Sequence, residues 1–92
     1  LILVLLISNL KSTVTVTFFY SSQSEIMRID PTVLLEDALK EFLTSIGYKR
    51  ASLMMKSLKA IPRGFSEPIS NWSINVGSLA QDNTLTVDCW RV

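Results

Sequence analysis

The sequence has no histidine and a single cysteine, Cys89, among its 92 residues. Without histidine the chain lacks the usual general base and the commonest ligand of transition metals, and it cannot form a Ser-His-Asp triad. One cysteine excludes an internal disulfide bond and any metal site that needs several thiolates. We therefore expect a protein that is not an enzyme and binds no cofactor, and we predict no catalytic, cofactor-binding or metal-binding residue.

Glycine and charge are also scarce. The three glycines, Gly47, Gly64 and Gly77, lie far apart in the chain, so none of the known phosphate-binding glycine loops is present. Charged residues make up 18% of the chain and the net charge is +1, which favours neither nucleic acid nor an acidic partner for the molecule as a whole. Hydrophobic residues at 48% indicate one folded domain rather than a disordered chain.

The first residues form a separate apolar segment. Residues 1–7 read LILVLLI and are followed by a polar break over residues 8–12. A bilayer-spanning helix needs about 20 apolar residues, so this segment is too short to cross a membrane. Three interpretations stay open: a buried strand or short helix, the end of a longer membrane helix, and the remnant of a signal sequence. We treat residues 1–12 as an apolar N-terminal extension and residues 13–92 as the folded domain.

The clearest helix signals lie in residues 29–47, IDPTVLLEDALKEFLTSIG. Asp30 or Thr32 is the expected N-cap, Pro31 favours the entry turn, and Gly47 suits the left-handed position after the helix. These signals predict a helix of about 12 to 15 residues. Its apolar residues recur every three or four positions and so share one face. They are Leu35, Ala38, Leu39, Phe42, Leu43 and Ile46.

Alternating polar and apolar residues before the helix predict a β-hairpin. Residues 13–20 and 25–29 alternate, and the turn between them is rich in serine. The inward side chains are predicted to be Val14, Val16, Phe18, Met27 and Ile29.

After the helix, residues 53–58 (LMMKSL) are predicted to form a short third strand. Prolines and glycine then predict an irregular stretch. Its expected core anchors, with a short helical turn among them, are Trp72, Ile74, Val76 and Leu79. A turn at Asp82 and Asn83 precedes a last strand over residues 84–92. Leu85, Val87 and Cys89 are expected to face inward, with Cys89 acting as a small hydrophobic residue rather than a nucleophile.

This order of elements predicts an α+β fold of the β-grasp type, in which a β-hairpin and one central helix pack on a mixed sheet of four to five strands. Residues 29–47 resemble, without a gap, the strand end, proline, Ser/Thr, helix and glycine of ubiquitin. Residues 78–92, SLAQDNTLTVDCWRV, are similar to its last turn and strand. The resemblance covers residues 13–92 and is to the ubiquitin-like superfamily.

The resemblance implies a domain that binds other proteins, with departures from ubiquitin. Ubiquitin and its conjugated relatives end in a Gly-Gly tail, whereas no glycine follows Gly77 here, so conjugation is not expected unless residues are missing. Ubiquitin also uses an apolar patch on its outer sheet face. A gapless alignment puts Lys56 and Asp88 at two patch positions, where they can pair, and a shift of two residues puts Met54 in place of Lys56. Partners that bind ubiquitin's apolar patch are therefore not expected.

Basic residues gather between positions 40 and 63, which hold six of the nine: Lys40, Lys49, Arg50, Lys56, Lys59 and Arg63. This cluster is either a solvated face or a docking surface for an acidic protein segment, a phosphorylated lipid or RNA. Few aromatic residues interleave with the basic ones, so neither base stacking nor a nucleic-acid partner is expected. The predicted partner-binding residues are Lys49, Arg50, Met54, Lys56, Lys59 and Arg63.

Two functional hypotheses follow from these patterns. The first is a non-catalytic, non-conjugating ubiquitin-like interaction module that belongs to a larger protein or assembly and binds a protein partner. The alternative is a membrane-linked regulatory domain in which residues 1–7 end an anchor helix and the basic cluster contacts anionic lipid. We expect an intracellular location, cytoplasmic or nuclear. Self-association through a free strand edge stays open.

Overall fold

The computed structural model of the protein describes residues 13–92. Its strands are β1 (Val14–Tyr20), β2 (Gln23–Ile29), β3 (Leu58–Pro62) and β4 (Thr84–Arg91). Its helices are α1 (Leu35–Ser45), α2 (Ala51–Met55) and α3 (Val76–Leu79). The N-terminal extension of residues 1–12, and the interpretations placed on it, lie outside the described residues.

The described strands form one mixed sheet in the order β2-β1-β4-β3. Strands β1 and β2 pair antiparallel as the predicted hairpin, β1 and β4 run parallel, and β3 and β4 pair antiparallel. Because β1 lies in the middle beside the last strand, the first and last parts of the domain are held together. A hairpin, a main helix and this strand order are the β-grasp arrangement, so the predicted fold class is confirmed.

Helix α1 covers the inner face of the sheet with the face that the sequence predicts. Its buried residues are Leu35, Ala38, Leu39, Phe42 and Leu43. The inward residues of β1, Val14, Val16 and Phe18, are buried below them. Such a short helix is marginal by itself in water, so most of its stability comes from packing on these strands.

The N-terminus of α1 is not capped as predicted. The helix follows Leu34, and no side-chain hydrogen bond caps its N-terminus. The Asp30 carboxylate instead accepts hydrogen bonds from the Thr32 amide and hydroxyl, at 2.9 and 2.7 Å. This local turn competes with capping, as Asp side chains often do near helix starts.

The first amides of α1 are satisfied by a distant segment. The Leu35 N–H donates to the Ile74 carbonyl at 2.8 Å, and the Glu36 N–H donates to the Trp72 carbonyl at 3.1 Å. Helix N-termini need such acceptors because their first N–H groups have no partner within the helix. These two bonds fix the irregular segment against the helix. As predicted, Trp72 and Ile74 pack on the core from there.

The third strand was predicted at the wrong place. Of the predicted residues 53–58, only Leu58 lies in a strand, since α2 occupies Ala51–Met55 and β3 begins at Leu58. Ala51 and Met54 are buried three residues apart, which is helical spacing. The alternation of a strand begins only at Leu58 and continues through Ala60 and Pro62, which all face the core.

The final third of the described chain agrees with its predicted anchors and turn. Val76 and Leu79 are buried in α3, the expected helical turn. Asp82 and Asn83 adopt positive φ angles of 53° and 58° in the turn before β4. The inward residues of β4 are buried, as expected: Leu85, Val87 and Cys89.

Candidate functional site

The face of the sheet that points away from α1, here called the outer sheet face, carries the candidate site around strands β4 and β3. Side chains alternate between the two faces along each strand, so the outer face receives those that lie between the core residues. They are Thr15, Thr17 and Phe19 of β1, Ser24, Ile26 and Arg28 of β2, Lys59 and Ile61 of β3, and Thr84, Thr86, Asp88 and Trp90 of β4.

A charged and aromatic cluster lies across the middle strands of this face. Arg63 follows β3, and its Nε donates to the Asp88 carboxylate at 3.3 Å. The guanidinium also lies 5.1 Å from the centre of the Phe19 ring, in a cation–π arrangement. Phe19 and Asp88 are neighbours in the parallel β1–β4 register, which explains why one arginine reaches both.

An exposed tryptophan lies on the same face, near the C-terminal end of β4. Trp90 pairs with Lys59 in the antiparallel β3–β4 register, and Ile61 pairs with Asp88 in the next outward position. Trp90 is 41% exposed, although large aromatic side chains are normally well covered. This part of the outer sheet face therefore combines the exposed indole of Trp90, the partly buried Ile61 and the two cations Lys59 and Arg63.

The predicted partner-binding residues are not all brought together. Lys59 and Arg63 lie on the outer sheet face. Lys56 follows α2 and lines a groove on the side of the sheet that faces the helices. Lys49 and Arg50 are exposed in the connection that leads to α2. Met54 is only 7% exposed and belongs to the core, so it offers no surface to a partner.

The alignment that placed Lys56 or Met54 on the third strand is corrected by the true position of β3. The outward residues of β3 are Lys59 and Ile61, and Ile61 is the one opposite Asp88. Asp88 pairs with Arg63 rather than with Lys56. The outer face thus carries more apolar surface at this point than the gapless alignment predicts.

Trp90, Phe19 and Ile61 were not among the predicted partner-binding residues. The predicted strand at residues 84–92 does contain a usable signal: if Leu85, Val87 and Cys89 face inward, Trp90 must face outward. Ile61 carries no such signal, because the predicted third strand ends at Leu58 and does not include it.

The described residues carry little that suggests chemistry. No group of three or more His, Cys, Asp or Glu side chains within residues 13–92 is placed to hold a metal ion. Cys89 is buried, and desolvation, with a smaller contribution from the nearby Asp88 charge, raises the pKa of its thiol to about 12. The thiolate, which is the reactive form, is therefore rare near neutral pH.

Comparison with known proteins rests on structure alone. No protein-family model matches the sequence, and a search of curated proteins found no match. Among solved structures, the ubiquitin-like domain of the Arabidopsis thaliana protein At2g32350 is similar with a TM-score of 0.62 and 12% identity, over 89% of this chain and 80% of that one.

Two further domains show the same likeness. The N-terminal ubiquitin-like domain of tubulin-binding cofactor B from Drosophila melanogaster gives a TM-score of 0.61 at 10% identity, over 89% of this chain and 87% of that one. The UBL domain of yeast Ddi1 gives 0.52 at 13% identity, over 84% of this chain and 88% of that one. Similarity at such low identity establishes architecture and not activity. The chain therefore has the ubiquitin-like β-grasp fold.

Proposed function

We propose that this domain is a non-catalytic protein-interaction module of a larger protein or assembly, and that it binds a protein partner through the outer sheet face. The observation that carries the proposal is the exposed Trp90 beside Lys59, with the Arg63–Asp88 pair on the adjoining strands. Tryptophan and arginine are enriched among the residues that dominate binding energy at protein interfaces.

The structural neighbours support the part of the proposal that concerns domain context. The Drosophila structure is described as the N-terminal ubiquitin-like domain of tubulin-binding cofactor B, and the yeast structure as the UBL domain of Ddi1. Each is thus a ubiquitin-like unit within a named protein. We extend this context, and no partner of theirs, to the present chain.

Charge favours a partner with an acidic segment. Lys59 and Arg63 are exposed on the outer sheet face, and the Asp88 carboxylate forms an ion pair with Arg63. Cations at the rim of an interface steer an acidic partner and fix its orientation more than they raise affinity. An acidic segment across β3, with an apolar side chain against Trp90, suits this distribution.

The membrane-linked alternative gains no support from the described residues. Its anchor would lie in residues 1–7, outside the described part of the chain. Within residues 13–92, no helix has both the length and the apolar character needed to cross a membrane. This hypothesis stays a prediction, and flotation of the full chain with acidic liposomes tests it.

Affinity capture with the full chain as bait tests the proposed function. The variants Trp90→Ala and Lys59→Glu should each reduce recovery of a specific partner several-fold, because they remove apolar contact and reverse a charge on the same face. Arg28→Glu is a charge-matched control: Arg28 is exposed on the same face but on the edge strand β2, and strands β1 and β4 separate it from Lys59 on β3. Equal recovery by wild type, Trp90→Ala and Lys59→Glu would reject the outer face as the binding surface.

A further inference from the structure

A second surface, on the helix side of the sheet, has features of a peptide-binding groove. It has a volume of about 380 Å³. Its walls come from three parts of the chain: helix α1, helix α2 with the start of β3, and the irregular segment before α3. The lining residues are Glu36, Lys40, Ser52, Met55, Lys56, Leu58 and Trp72.

Three apolar side chains line this groove and are here called its floor: Met55, Leu58 and Trp72. Leu58 is 5% exposed, and Met55 and Trp72 pack against the core while contributing surface to the groove. The Trp72 carbonyl accepts the Glu36 N–H at 3.1 Å, so the residue that carries the indole is fixed to the start of α1. The backbone that carries the indole is therefore held in place before binding, which reduces the entropy lost on binding.

The charges at the groove are predominantly positive. Lys40 and Lys56 both line it, and neither forms an ion pair within residues 13–92. Glu36 is the one lining carboxylate, and its Oε1 accepts a hydrogen bond from the Ser73 hydroxyl at 3.3 Å. Glu36 also lies in the first turn of α1, where the helix dipole favours negative charge. Two unpaired ammonium groups thus flank the apolar floor.

This groove is separate from the outer sheet face. Leu58 lines the groove, whereas the next residue, Lys59, projects from the opposite face of β3. Successive residues of a strand point to opposite sides of the sheet. A ligand in the groove therefore leaves Trp90 and Lys59 accessible.

We propose that the groove binds a short acidic peptide segment of a partner protein, which places one bulky apolar side chain on Met55 and Trp72 and carboxylates beside Lys40 and Lys56. Charge complementarity selects this occupant. The chain's own N-terminal extension is apolar over residues 1–7, contains Lys11 and carries no acidic residue, so it matches the floor but not the two lysines. The inference goes beyond the outer-face proposal and does not rest on it.

The test is an NMR titration of the full chain with a ten-residue peptide of Asp and Glu residues around one central Phe. The chain has two tryptophans, Trp72 and Trp90, so their indole N–H signals report the groove and the outer face in the same spectrum. We expect a saturable shift of the Trp72 indole and of the Ser52 and Met55 amides, while the Trp90 indole stays in place. A peptide with Lys in place of every acidic residue should cause no saturable shift.

Matched variants separate the groove from general charge effects. The double variant Lys40→Glu, Lys56→Glu should weaken peptide binding about tenfold or more, because two attractions become repulsions. The single variant Lys56→Glu should weaken it several-fold, whereas Arg28→Glu, with the same change of charge on the distant strand β2, should leave the dissociation constant within about twofold.

Several results would overturn the proposal. They are an unmoved Trp72 indole, equal binding of the lysine peptide, or an equal loss of affinity in Arg28→Glu and Lys56→Glu. If the Trp72 indole signal shifts with protein concentration in the absence of peptide, the groove binds a second copy of the chain. If the variant Leu5→Ser shifts that signal in the absence of peptide, the groove binds the N-terminal extension. Because the Trp90 indole is read separately, failure here leaves the outer-face proposal intact, and the converse also holds.

Discussion

The ring of Phe42 in helix α1 stacks on the ring of Phe18 in strand β1, with centroids 5.3 Å apart and ring planes 18° apart. Both side chains are fully buried. The contact joins the main helix to a central strand, so it lies where the helix packs on the sheet. Aromatic pairs in this offset geometry add to the stabilisation that burial already provides.

Phe42→Ala should therefore lower the free energy of unfolding by about 3 to 5 kcal/mol, because a large buried ring is replaced by a cavity. Urea unfolding followed by circular dichroism measures the loss. Leu53→Ala is the control, since Leu53 is 52% exposed on α2 and should change stability by less than about 1 kcal/mol. Similar losses in the two variants would show that α1 does not pack on β1 as described.

The close approach of Gly77 to Pro31 gives a second prediction. A Cβ atom on Gly77 would lie 2.7 Å from the Pro31 Cβ and 2.9 Å from the Pro31 carbonyl oxygen. The Gly77 N–H also donates to that carbonyl at 2.9 Å, so the two backbone segments cannot separate without losing a hydrogen bond. Gly77→Ala should lower stability by about 1 to 3 kcal/mol through overpacking.

Thermal unfolding of Gly77→Ala beside Ser66→Ala measures this cost. Ser66 is exposed in the connection after β3, and its substitution should have almost no effect. A melting temperature for Gly77→Ala equal to that of Ser66→Ala would mean that Pro31 does not lie against α3.

The buried thiol of Cys89 makes stability depend on pH at alkaline values. Its pKa is raised from an ordinary value of 9.0 to about 12 in the folded protein. The unfolded chain therefore loses this proton at lower pH than the folded chain, so the contribution to stability is complete below pH 9 and is lost as pH rises from about 9 towards 12. The wild type should lose stability relative to Cys89→Val across that range.

Urea midpoints of the two proteins at pH 8, 9 and 10 check this difference, since other alkaline titrations are common to both. Reaction with a thiol reagent supplies an independent measure. Cys89 should react slowly in the folded chain at pH 8 and rapidly in denaturant, because it is 6% exposed. Rapid reaction without denaturant would contradict the burial of this side chain.

The elements that the sequence predicts well are those with strong local periodicity. The hairpin, α1 and β4 each bury large side chains at regular spacing, as with Phe18 and Phe42. β3 was misplaced because its inward residues include Ala60 and Pro62, which give a weak strand signal, while the apolar residues before it suggest a strand that is not there. Proline cannot donate a hydrogen bond to a neighbouring strand, so within sheets it is mostly found in edge strands such as β3.

Contacts between segments that are distant in the sequence cannot be predicted from local sequence patterns. The first amides of α1 find their acceptors at Trp72 and Ile74, about two fifths of the chain length away, so no capping signal near the helix predicts them. The groove lined by Trp72 depends on the same packing of the irregular segment against α1. On the outer face, Lys59 and Arg63 were identified from charge, but their arrangement around Phe19 and Asp88 follows from the parallel β1–β4 register. The proposed binding role of these residues stays a prediction.

The central claim is that a protein partner contacts the outer sheet face at Trp90. The most direct measurement is photo-crosslinking of the full chain with benzoylphenylalanine in place of Trp90, compared with the same group in place of exposed Gln81. We predict a discrete protein adduct from position 90 that is lost when Lys59→Glu is added, and no such adduct from position 81. Adducts of equal yield from both positions, or none from position 90, would contradict the account.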